Sequence, residues 1–333
     1  MTEPVATVRI AVRRALSPLS PPAPDPLALV ACSGGADSLA LAAATGFVAP
    51  RLGWRAGLVT VDHGLQPGSA DRATAVARWA KEAGLDPVVV VPVRVAGRPG
   101  GPEAAARDAR YEALASAARE SGAAAVLLGH TRDDQAETVL LALARGAGPR
   151  GLAGMPARRD RDGVAWLRPL LDVSRAQTRA ACAVLGLDPW DDPHNADPAY
   201  ARARVRATVL PALVKALGPR VIDNLARTAR QLAADTAALD AIADTELAAA
   251  RTVHGSLRVP ALRELPDAIR TRVLHRWARE LGVSGSALSH RHVAALDALI
   301  TDWHGQGPVY LPGGLTVTRR GPDLLPAYPP APA

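Results

Sequence analysis

A short turn at residues 33–38 contains the residue types that bind a phosphate group. It reads Ser33, Gly34, Gly35, Ala36, Asp37 and Ser38. The turn joins an apolar run that ends at Cys32 to a second apolar run with helical spacing. Such a strand-to-helix turn presents backbone N–H groups at the positive end of a helix, where anions bind. The two glycines leave room for an anion beside these amides, and the two serines add hydroxyl donors.

Asp37 adds a negative charge to this predicted anion site. A divalent cation such as Mg²⁺ explains the charge, because Mg²⁺ bridges carboxylates to the phosphates of a nucleotide. The alternative is that the glycine pair makes only a tight turn and that Asp37 caps the helix. The position directly after a buried strand favours nucleotide binding. The turn differs from a loop of the G-x-x-x-x-G-K type, because Lys81 and Lys215 are the only lysines.

A second group of polar residues lies within residues 127–155. His130 ends an apolar run, and Glu137 follows Asp134 at a spacing that puts both on one helix face. Carboxylates that face a phosphate loop bind Mg²⁺, accept a proton or hold an ammonium group. The alternative is that Asp133 and Asp134 only stabilise the start of the helix through its dipole.

Both groups are predicted to lie at one edge of a parallel sheet. Unalternating apolar runs predict buried strands at 27–32, 56–61, 88–93, 124–128 and 164–170. Helical patterns occur at 38–47, 69–83, 103–120, 134–145 and 174–185. This alternation predicts an α/β fold with a doubly wound parallel sheet, in which ligands bind at the carboxyl edge.

The second part of the chain has a different pattern. A segment rich in proline and aspartate, residues 188–200, predicts a loop and a boundary. Helices are predicted at 205–250, 266–281 and 290–303, followed by a hairpin at 308–324. The predicted organisation is a frayed segment at 1–24, a catalytic domain at 25–200, a smaller mostly helical domain at 201–325 and a frayed tail at 326–333.

The charge of the chain favours a polyanionic partner. The formal net charge is +7, and residues 201–230 contain seven Arg or Lys residues against one Asp. The alternative is a solvated basic helix face. Tyr200 is the sole aromatic residue near this cluster, so we expect arginine–phosphate contacts rather than base stacking to dominate there.

Cysteine usage and hydropathy indicate the compartment. Cys32 and Cys182 are the only cysteines and do not form a C-x-x-C pair, which argues against a disulfide framework, a zinc site or an iron–sulfur cluster. No run of about eighteen uninterrupted apolar residues occurs, so no membrane partner is predicted. We expect a soluble protein in the cytoplasm.

The turn resembles the PP-loop of the ATP pyrophosphatases, which cleave ATP between its α and β phosphates. With the other motifs, the chain resembles the tRNA(Ile)-lysidine synthetase family over residues 27–215. These motifs are VDHGLQPGS at 61–69, PEAAARDARY at 102–111, the segment 127–155, RPLL at 168–171 and DDPHNADPAYARARVRATVLPAL at 191–213. The resemblance implies an adenine nucleotide alpha-hydrolase-like fold.

The resemblance also implies a reaction. That family attaches free L-lysine to C2 of the wobble cytidine in a tRNA(Ile) with a CAU anticodon. ATP adenylates the oxygen at C2 and pyrophosphate leaves; the lysine ε-amine then displaces AMP. The product tRNA reads AUA instead of AUG. ATP, Mg²⁺, tRNA(Ile) and free L-lysine are thus the implied ligands, and a homodimer is left open.

Site residues follow from the matched positions. Residues 33–38, Asp62 and His63 would bind ATP, with Asp37 and Asp134 as Mg²⁺ contacts. The implied catalytic residues are Asp37, His130, Asp134, Glu137 and Arg202. The implied tRNA-binding residues are Arg107, Arg110, Arg204 and Arg206. Ala203 stands where the family usually has asparagine, so the arginines around it are assigned as a group.

Three other functions remain open from the residues alone. A tRNA thiolase would share the ATP loop and the basic surface, but such enzymes generally need cysteine pairs. Amide-forming adenylation, as in the NAD or GMP synthetases, does not need a basic helical region. A non-catalytic adenine-nucleotide sensor would bind ATP without releasing pyrophosphate.

Overall fold

The computed structural model describes residues 2–19, 24–62, 64, 68–93, 102–191, 197, 199–285 and 287–328, without the side chains of 102–104. The chain divides into two compact units, Met1–Ala233 and Ala234–Ala333. No helix in the described part of the chain is long and apolar enough to cross a membrane.

The first unit is built on a six-stranded sheet. Its strands are β1 (Leu27–Ala31), β2 (Arg55–Asp62), β3 (Val88–Pro92), β4 (Ala123–Leu128), β5 (Arg158–Arg161) and β6 (Val164–Leu167). Their order is β3-β2-β1-β4-β6-β5, and all neighbours are parallel except β5, which is antiparallel to β6. The predicted α/β fold is confirmed. Strand β5 was not predicted, because its four residues are charged and exposed and therefore form no apolar run.

Helices cover both faces of this sheet. They are α1 (Glu3–Leu16), α2 (Ala36–Val48), α3 (Ser69–Glu82), α4 (Pro102–Glu120), α5 (Arg132–Ala144), α6 (Pro149–Leu152) and α7 (Arg175–Val184). Strand β1 is buried throughout, and its side chains alternate between two apolar clusters. Ala28 and Val30 pack in the cluster with α2, whereas Leu27 and Leu29 pack in the cluster with α4. This double burial holds the end of β1 in the middle of the sheet.

The N-terminal segment is a packed helix, which corrects the frayed segment expected at 1–24. Val5, Val8, Val12 and Leu16 form a buried stripe on α1 at helical spacing. This stripe belongs to the same apolar cluster as α2 and α7. The interspersed arginines and prolines concealed the amphipathic pattern in the sequence.

The helical region after residue 200 is interrupted. Helix α8 (Ala201–Arg204) continues through a π-helical turn, Val205–Val209, into α9 (Leu210–Leu217), and α10 (Val221–Ala250) follows. A single helix over 205–250 was predicted, but Gly218, with φ +88°, separates α9 from α10. Val205 and Leu210 pack on Ala136 of α5, so these first turns lie in the first compact unit rather than the second.

The second unit combines helices with an antiparallel sheet. Its helices are the end of α10, α11 (Val259–Arg263), α12 (Asp267–Glu280) and α13 (His290–Thr301). Its strands are β7 (Leu257–Arg258), β8 (Val309–Tyr310), β9 (Thr316–Arg320) and β10 (Asp323–Ala327), in the order β7-β10-β9-β8. The predicted hairpin is thus part of a four-stranded sheet, and β10 extends into the tail that was expected to fray.

Trp277 is a large side chain in the core of the second unit, and its removal tests the packing there. Its side chain is fully buried, and its indole N–H donates to the carbonyl of Gly255 at 3.0 Å. Trp277→Ala should lower the free energy of unfolding by about 3–5 kcal/mol, because it leaves a large cavity. Trp303→Ala, at a partly exposed site in the same unit, should lower it by less than about 1.5 kcal/mol. Urea unfolding measures both, and equal losses would contradict the packing described.

Candidate active site

The glycine turn between β1 and α2 is closed by its own side chains. Ser38 donates its hydroxyl to the carbonyl of Gly35 at 2.9 Å and accepts the N–H of Ser33 at 3.2 Å. Gly34 has φ +84°, and a Cβ there would lie 3.0 Å from the Cγ2 atom of Val76. Only glycine fits this position without strain. The predicted turn therefore has a fixed shape before any ligand binds.

Helix α2 begins without a side-chain cap. Gly35 is its N-cap residue and supplies no side-chain acceptor to the first-turn amides. Two other helices that start near the sheet's carboxyl edge are different: Thr131 caps α5 and Ser174 caps α7, each in a capping box. The first N–H groups of a helix need an acceptor. At α2 an anion from outside the chain can supply it, as the sequence predicts.

These amides border a cavity of about 410 Å³. Its lining comes from the turn, from the ends of β1 and β4, and from α4, α5, α7 and the segment around Trp190. Among the described lining residues are four arginines, Arg110, Arg175, Arg179 and Arg206, and three aspartates, Asp37, Asp134 and Asp191. The volume is that of a small-molecule site. The excess of arginine suits a polyphosphate.

Arg175, the first residue of α7, contacts three carboxylates. Its Nη2 atom lies 2.9 Å from Oδ1 of Asp134 and 3.3 Å from Oε1 of Glu137, and its Nε atom lies 3.7 Å from Oδ2 of Asp37. Its backbone N–H donates to Asp133 at 2.8 Å. These carboxylates raise the pKa of Arg175 despite its burial. One guanidinium thus joins the glycine turn to α5.

Arg206 binds two of the same carboxylates. Asp134, Glu137, Arg175 and Arg206 together are called the carboxylate–arginine cluster. Its Nε and Nη2 atoms bind the two oxygens of Glu137 at 2.7 and 3.0 Å, and Nη2 also reaches Asp134 at 3.2 Å. The Glu137 side chain is fully buried. Arg202 lies 3.7 Å from Glu137 and donates to the hydroxyl of Thr138 at 3.0 Å. Arg206, predicted to bind tRNA, is therefore placed on the carboxylates of the predicted catalytic centre.

The pKa values of two aspartates that line the cavity, Asp37 and Asp134, shift in opposite directions. Burial raises the pKa of Asp37 to about 6; the Asp134 carboxylate also raises it, whereas a hydrogen bond from Thr178 and the charge of Arg175 lower it. Burial alone would raise the pKa of Asp134, but Arg175, the N–H of Thr131 and Arg206 together hold it below its ordinary value. Asp134 is consequently a carboxylate at neutral pH.

His130 lines the cavity as a neutral imidazole. Burial is the main cause that lowers its pKa to about 3; the nearby Asp134 raises this pKa, and the charges of Arg110, Arg168 and Arg202 lower it. Its buried Nδ1 atom has no hydrogen-bond partner among the described residues. A neutral ring with an unused nitrogen can hydrogen-bond a substrate, but it is a weak base at neutral pH.

The remaining predicted site residues are spread more widely. Arg110 lines the cavity, and burial lowers its pKa. Two predicted catalytic residues, Arg202 and the buried Glu137, do not line it, and neither do Asp62, Arg107 and Arg204. Asp62 accepts the N–H of Gly64 at 3.0 Å, and Arg204 donates to the carbonyl of Ala199 at 2.9 Å. His63 lies outside the described residues.

Several cavity residues were not predicted from the sequence. Arg175 and Arg179 lie one turn apart on α7, and Trp190 and Asp191 also line the cavity. Thr178 does not line it but donates its hydroxyl to the Asp37 carboxylate. The N–H of Trp190 donates to the carbonyl of Gly34 at 3.0 Å, which ties this segment to the turn. A signal for Arg175 existed: it follows the cap residue Ser174 at the start of a helix that a strand precedes.

Comparisons with known proteins identify the family. A model of the PP-loop domain matches residues 8–213, and a model of the TilS substrate binding domain matches residues 257–323. A tRNA(Ile)-lysidine synthase of Salinispora tropica is 69% identical over 324 residues, which cover 97% of this chain and 96% of that protein. The chain belongs to the tRNA(Ile)-lysidine synthase family.

Other members of the tRNA(Ile)-lysidine synthase family match over similar lengths. One of Salinispora arenicola is 68% identical over 333 residues, covering 100% of this chain and 99% of that protein. Among solved structures, the U34-tRNA thiolase NcsA of Methanococcus maripaludis with its iron–sulfur cluster aligns with a TM-score of 0.55. It is 18% identical and covers 69% of this chain and 80% of that chain, so the likeness shows the fold alone.

Removing the central guanidinium should destabilise the protein. Arg175→Gln removes a positive charge that pairs with the buried carboxylates of Asp134 and Glu137. We therefore expect the free energy of unfolding to fall by about 2–4 kcal/mol. The matched control is Arg179→Gln on the same helix, whose half-exposed side chain pairs with Asp191. That change should alter stability by less than about 1 kcal/mol. Chemical denaturation measures both, and a control loss as large as that of Arg175→Gln would refute the assignment.

Proposed function

We propose that this chain attaches free L-lysine to C2 of the wobble cytidine of tRNA(Ile) with a CAU anticodon, converting ATP to AMP and pyrophosphate. The modified tRNA then decodes AUA instead of AUG. The observation that carries the proposal is the shared cavity: an uncapped glycine turn lines the same space as Asp134, Arg175 and Arg206, and Glu137 lies buried directly behind these arginines. Membership of the tRNA(Ile)-lysidine synthase family supports the choice of substrates.

The first step is the adenylation of cytidine. The oxygen at C2 attacks the α-phosphorus of ATP, a P–O bond forms, and the bond to the β-phosphate breaks as pyrophosphate leaves. In this proposal the amides of residues 35–38 and the cavity arginines stabilise the negative charge on the phosphates. A neutral His130 hydrogen-bonds the substrate without repelling the cationic groups around it.

In the second step, the ε-nitrogen of lysine attacks C2, a C–N bond forms, and the C–O bond breaks as AMP leaves. Lysine enters as an ammonium ion and must lose a proton, since only the neutral amine is a nucleophile. In this proposal Asp134 and Glu137 orient this ammonium, and a carboxylate of this pair accepts its proton. Because Arg175 and Arg206 now bind both, lysine entry requires one guanidinium to release a carboxylate oxygen.

Mg²⁺ fits Asp37 better than it fits Asp134. Among the described residues no three acidic, histidine or cysteine side chains form a ready-made metal site. Mg²⁺ needs only one or two carboxylates when substrate phosphates supply further oxygens. Asp37 lines the cavity, and among the described residues its Oδ2 atom has only the 3.7 Å contact with Arg175. Each carboxylate oxygen of Asp134 already accepts two hydrogen bonds, so a contact between Asp134 and the metal requires release of an arginine.

The metal would neutralise phosphate charge and orient the α-phosphate for attack. In this proposal Asp37 would hold the cation, and Asp134 would be a second ligand only if Arg175 or Arg206 released its carboxylate. We further propose a cytoplasmic location. The homodimer stays a prediction.

A tRNA thiolase is the nearest alternative, because a thiolase shares the fold. Cys32 and Cys182 are both buried. Burial raises the pKa of both thiols, that of Cys182 to about 11, so neither is a reactive thiolate at neutral pH. This observation favours transfer of lysine over transfer of sulfur.

Labelled lysine tests the proposal directly. The protein is incubated with labelled lysine, ATP, Mg²⁺ and an unmodified CAU tRNA(Ile) transcript, with elongator tRNA(Met) as the control. We expect label in tRNA(Ile) alone, with equimolar AMP and pyrophosphate. Nucleotide binding with neither product would indicate a sensor instead, and label in neither RNA would refute the proposal.

Two variants separate the steps. Asp37→Asn should lower pyrophosphate release and lysine transfer together by more than about 100-fold, because it removes the metal contact. Glu137→Gln should lower lysine transfer by a similar factor because the ammonium loses a carboxylate. Circular dichroism and urea unfolding check that each variant is folded. Near-normal transfer by either folded variant would remove that residue from its assigned role.

A further inference from the structure

A second cavity, of about 210 Å³, lies in the first unit. It is lined by α4, β5, β6 and the residue that follows β6, and it shares no lining residue with the first cavity. Four arginines and one aspartate line it together with two aromatic side chains. The residues that matter here are Arg107, Tyr111, Arg159, Arg161, Trp166 and Arg168.

The aromatic wall of this cavity is preformed. The rings of Tyr111 and Trp166 lie with centroids 5.6 Å apart at an interplanar angle of 35°. The guanidinium of Arg107 lies 5.5 Å from the centroid of Tyr111. Trp166 is buried and supports Tyr111, which is only partly buried. Partly exposed aromatic rings beside cations are the surfaces on which nucleic-acid bases stack.

Arg168 lines the cavity, and its Nε–H group is a hydrogen-bond donor without a partner among the described residues. Its side chain is buried; Nη1 donates to the carbonyl of Pro156 at 2.9 Å, and Nη2 lies 3.5 Å from the hydroxyl of Tyr111. Its buried Nε–H has no partner among the described residues. An unpaired buried donor of a cation is unfavourable, and an anionic oxygen from a ligand would satisfy it.

Strand β5 adds charge to the rim. Side chains alternate along a strand, so Arg159 and Arg161 share the face that lines the cavity. Arg158 is on the other face and pairs with Asp160 at 3.0 Å. All four residues are exposed. The strand therefore presents Arg159 and Arg161 to the cavity; Arg161 also lies 3.3 Å from Asp162, so a phosphate would compete with this exposed carboxylate.

The two cavities are adjacent through helix α4. Arg110 lines the cavity with the glycine turn, and its neighbour Tyr111 lines the second cavity. Arg168 also acts electrostatically on His130 in the first cavity. Consecutive residues of α4 thus line the two cavities, which makes the second cavity a candidate site for the nucleotide next to a base at His130.

We propose that the second cavity binds a nucleotide next to the wobble cytidine in the anticodon, with its base on Tyr111 and its phosphate among Arg159, Arg161 and Arg168. This inference rests on the proposed function, since it takes the modified cytidine to occupy the first cavity. It assigns RNA binding to β5, a strand distant in sequence from the basic cluster at residues 201–230.

The first experiment measures binding of a labelled, unmodified CAU anticodon stem-loop without ATP or lysine. The double variant Arg159→Gln with Arg161→Gln should bind at least about 10-fold more weakly, with a salt slope smaller by about two. The matched control, Arg145→Gln with Arg158→Gln, removes two exposed arginines that line neither cavity. It should weaken binding by less than about threefold.

The second experiment tests the base. A stem-loop that is abasic at the nucleotide 5′ or 3′ of the wobble cytidine should bind the wild-type protein about fivefold or more weakly at one of these positions. Tyr111→Leu should bind the intact and that abasic stem-loop equally, because the stacking surface is gone. If Tyr111→Leu does not fold, the double arginine variant with the same RNAs still reports the phosphate contacts.

The outcomes separate this inference from the proposed function. Equal binding by the double variant and its matched control would overturn the inference even if the wild-type protein transfers lysine. Weaker binding of free AMP by the double variant, with unchanged stem-loop affinity, would assign the cavity to a mononucleotide and also overturn it. Failure of lysine transfer alone, with the predicted binding losses intact, would refute the proposed function and leave an RNA site.

Discussion

The structure depends on charge balance among buried carboxylates at the carboxyl edge of the parallel sheet. Asp134 and Glu137 lie on the first turns of α5, where apolar packing on the sheet leaves them little water. Guanidinium groups from Arg175 and Arg206 compensate them at 2.7–3.3 Å. Because an unpaired buried charge is strongly unfavourable, α7 and the π-helical turn must approach α5. The same contacts shape the cavity in which we place the reaction.

Three helices begin near the cavity, and their N-terminal ends differ in whether a side chain caps them. Helices α5 and α7 satisfy their first amides with Thr131 and Ser174, so their side chains can be rigid parts of the site. Helix α2 leaves its first amides without a side-chain acceptor beside the turn that Gly34 permits. In our proposal the triphosphate is the missing acceptor. Binding and catalysis then use different helix ends in one cavity.

The sequence predicts the architecture better than the side-chain contacts. Buried strands, the glycine turn and the positions of His130, Asp134 and Glu137 follow from local patterns, because each pattern is continuous in sequence. The pairing of Arg206 with Glu137 joins residues far apart in sequence, and no local pattern distinguishes this arginine from one that faces solvent. Two elements lack a clear local pattern. Arginines interrupt the apolar stripe of helix α1, and strand β5 buries no side chain, so it has no apolar run.

A structure of the protein with a non-hydrolysable ATP analogue and Mg²⁺ tests the central claim most directly. We expect its phosphate oxygens to accept hydrogen bonds from the amides of residues 35–38, with Asp37 on the metal and the α-phosphate facing His130. An analogue bound elsewhere at saturating concentration, with these amides still facing no phosphate, would contradict the account.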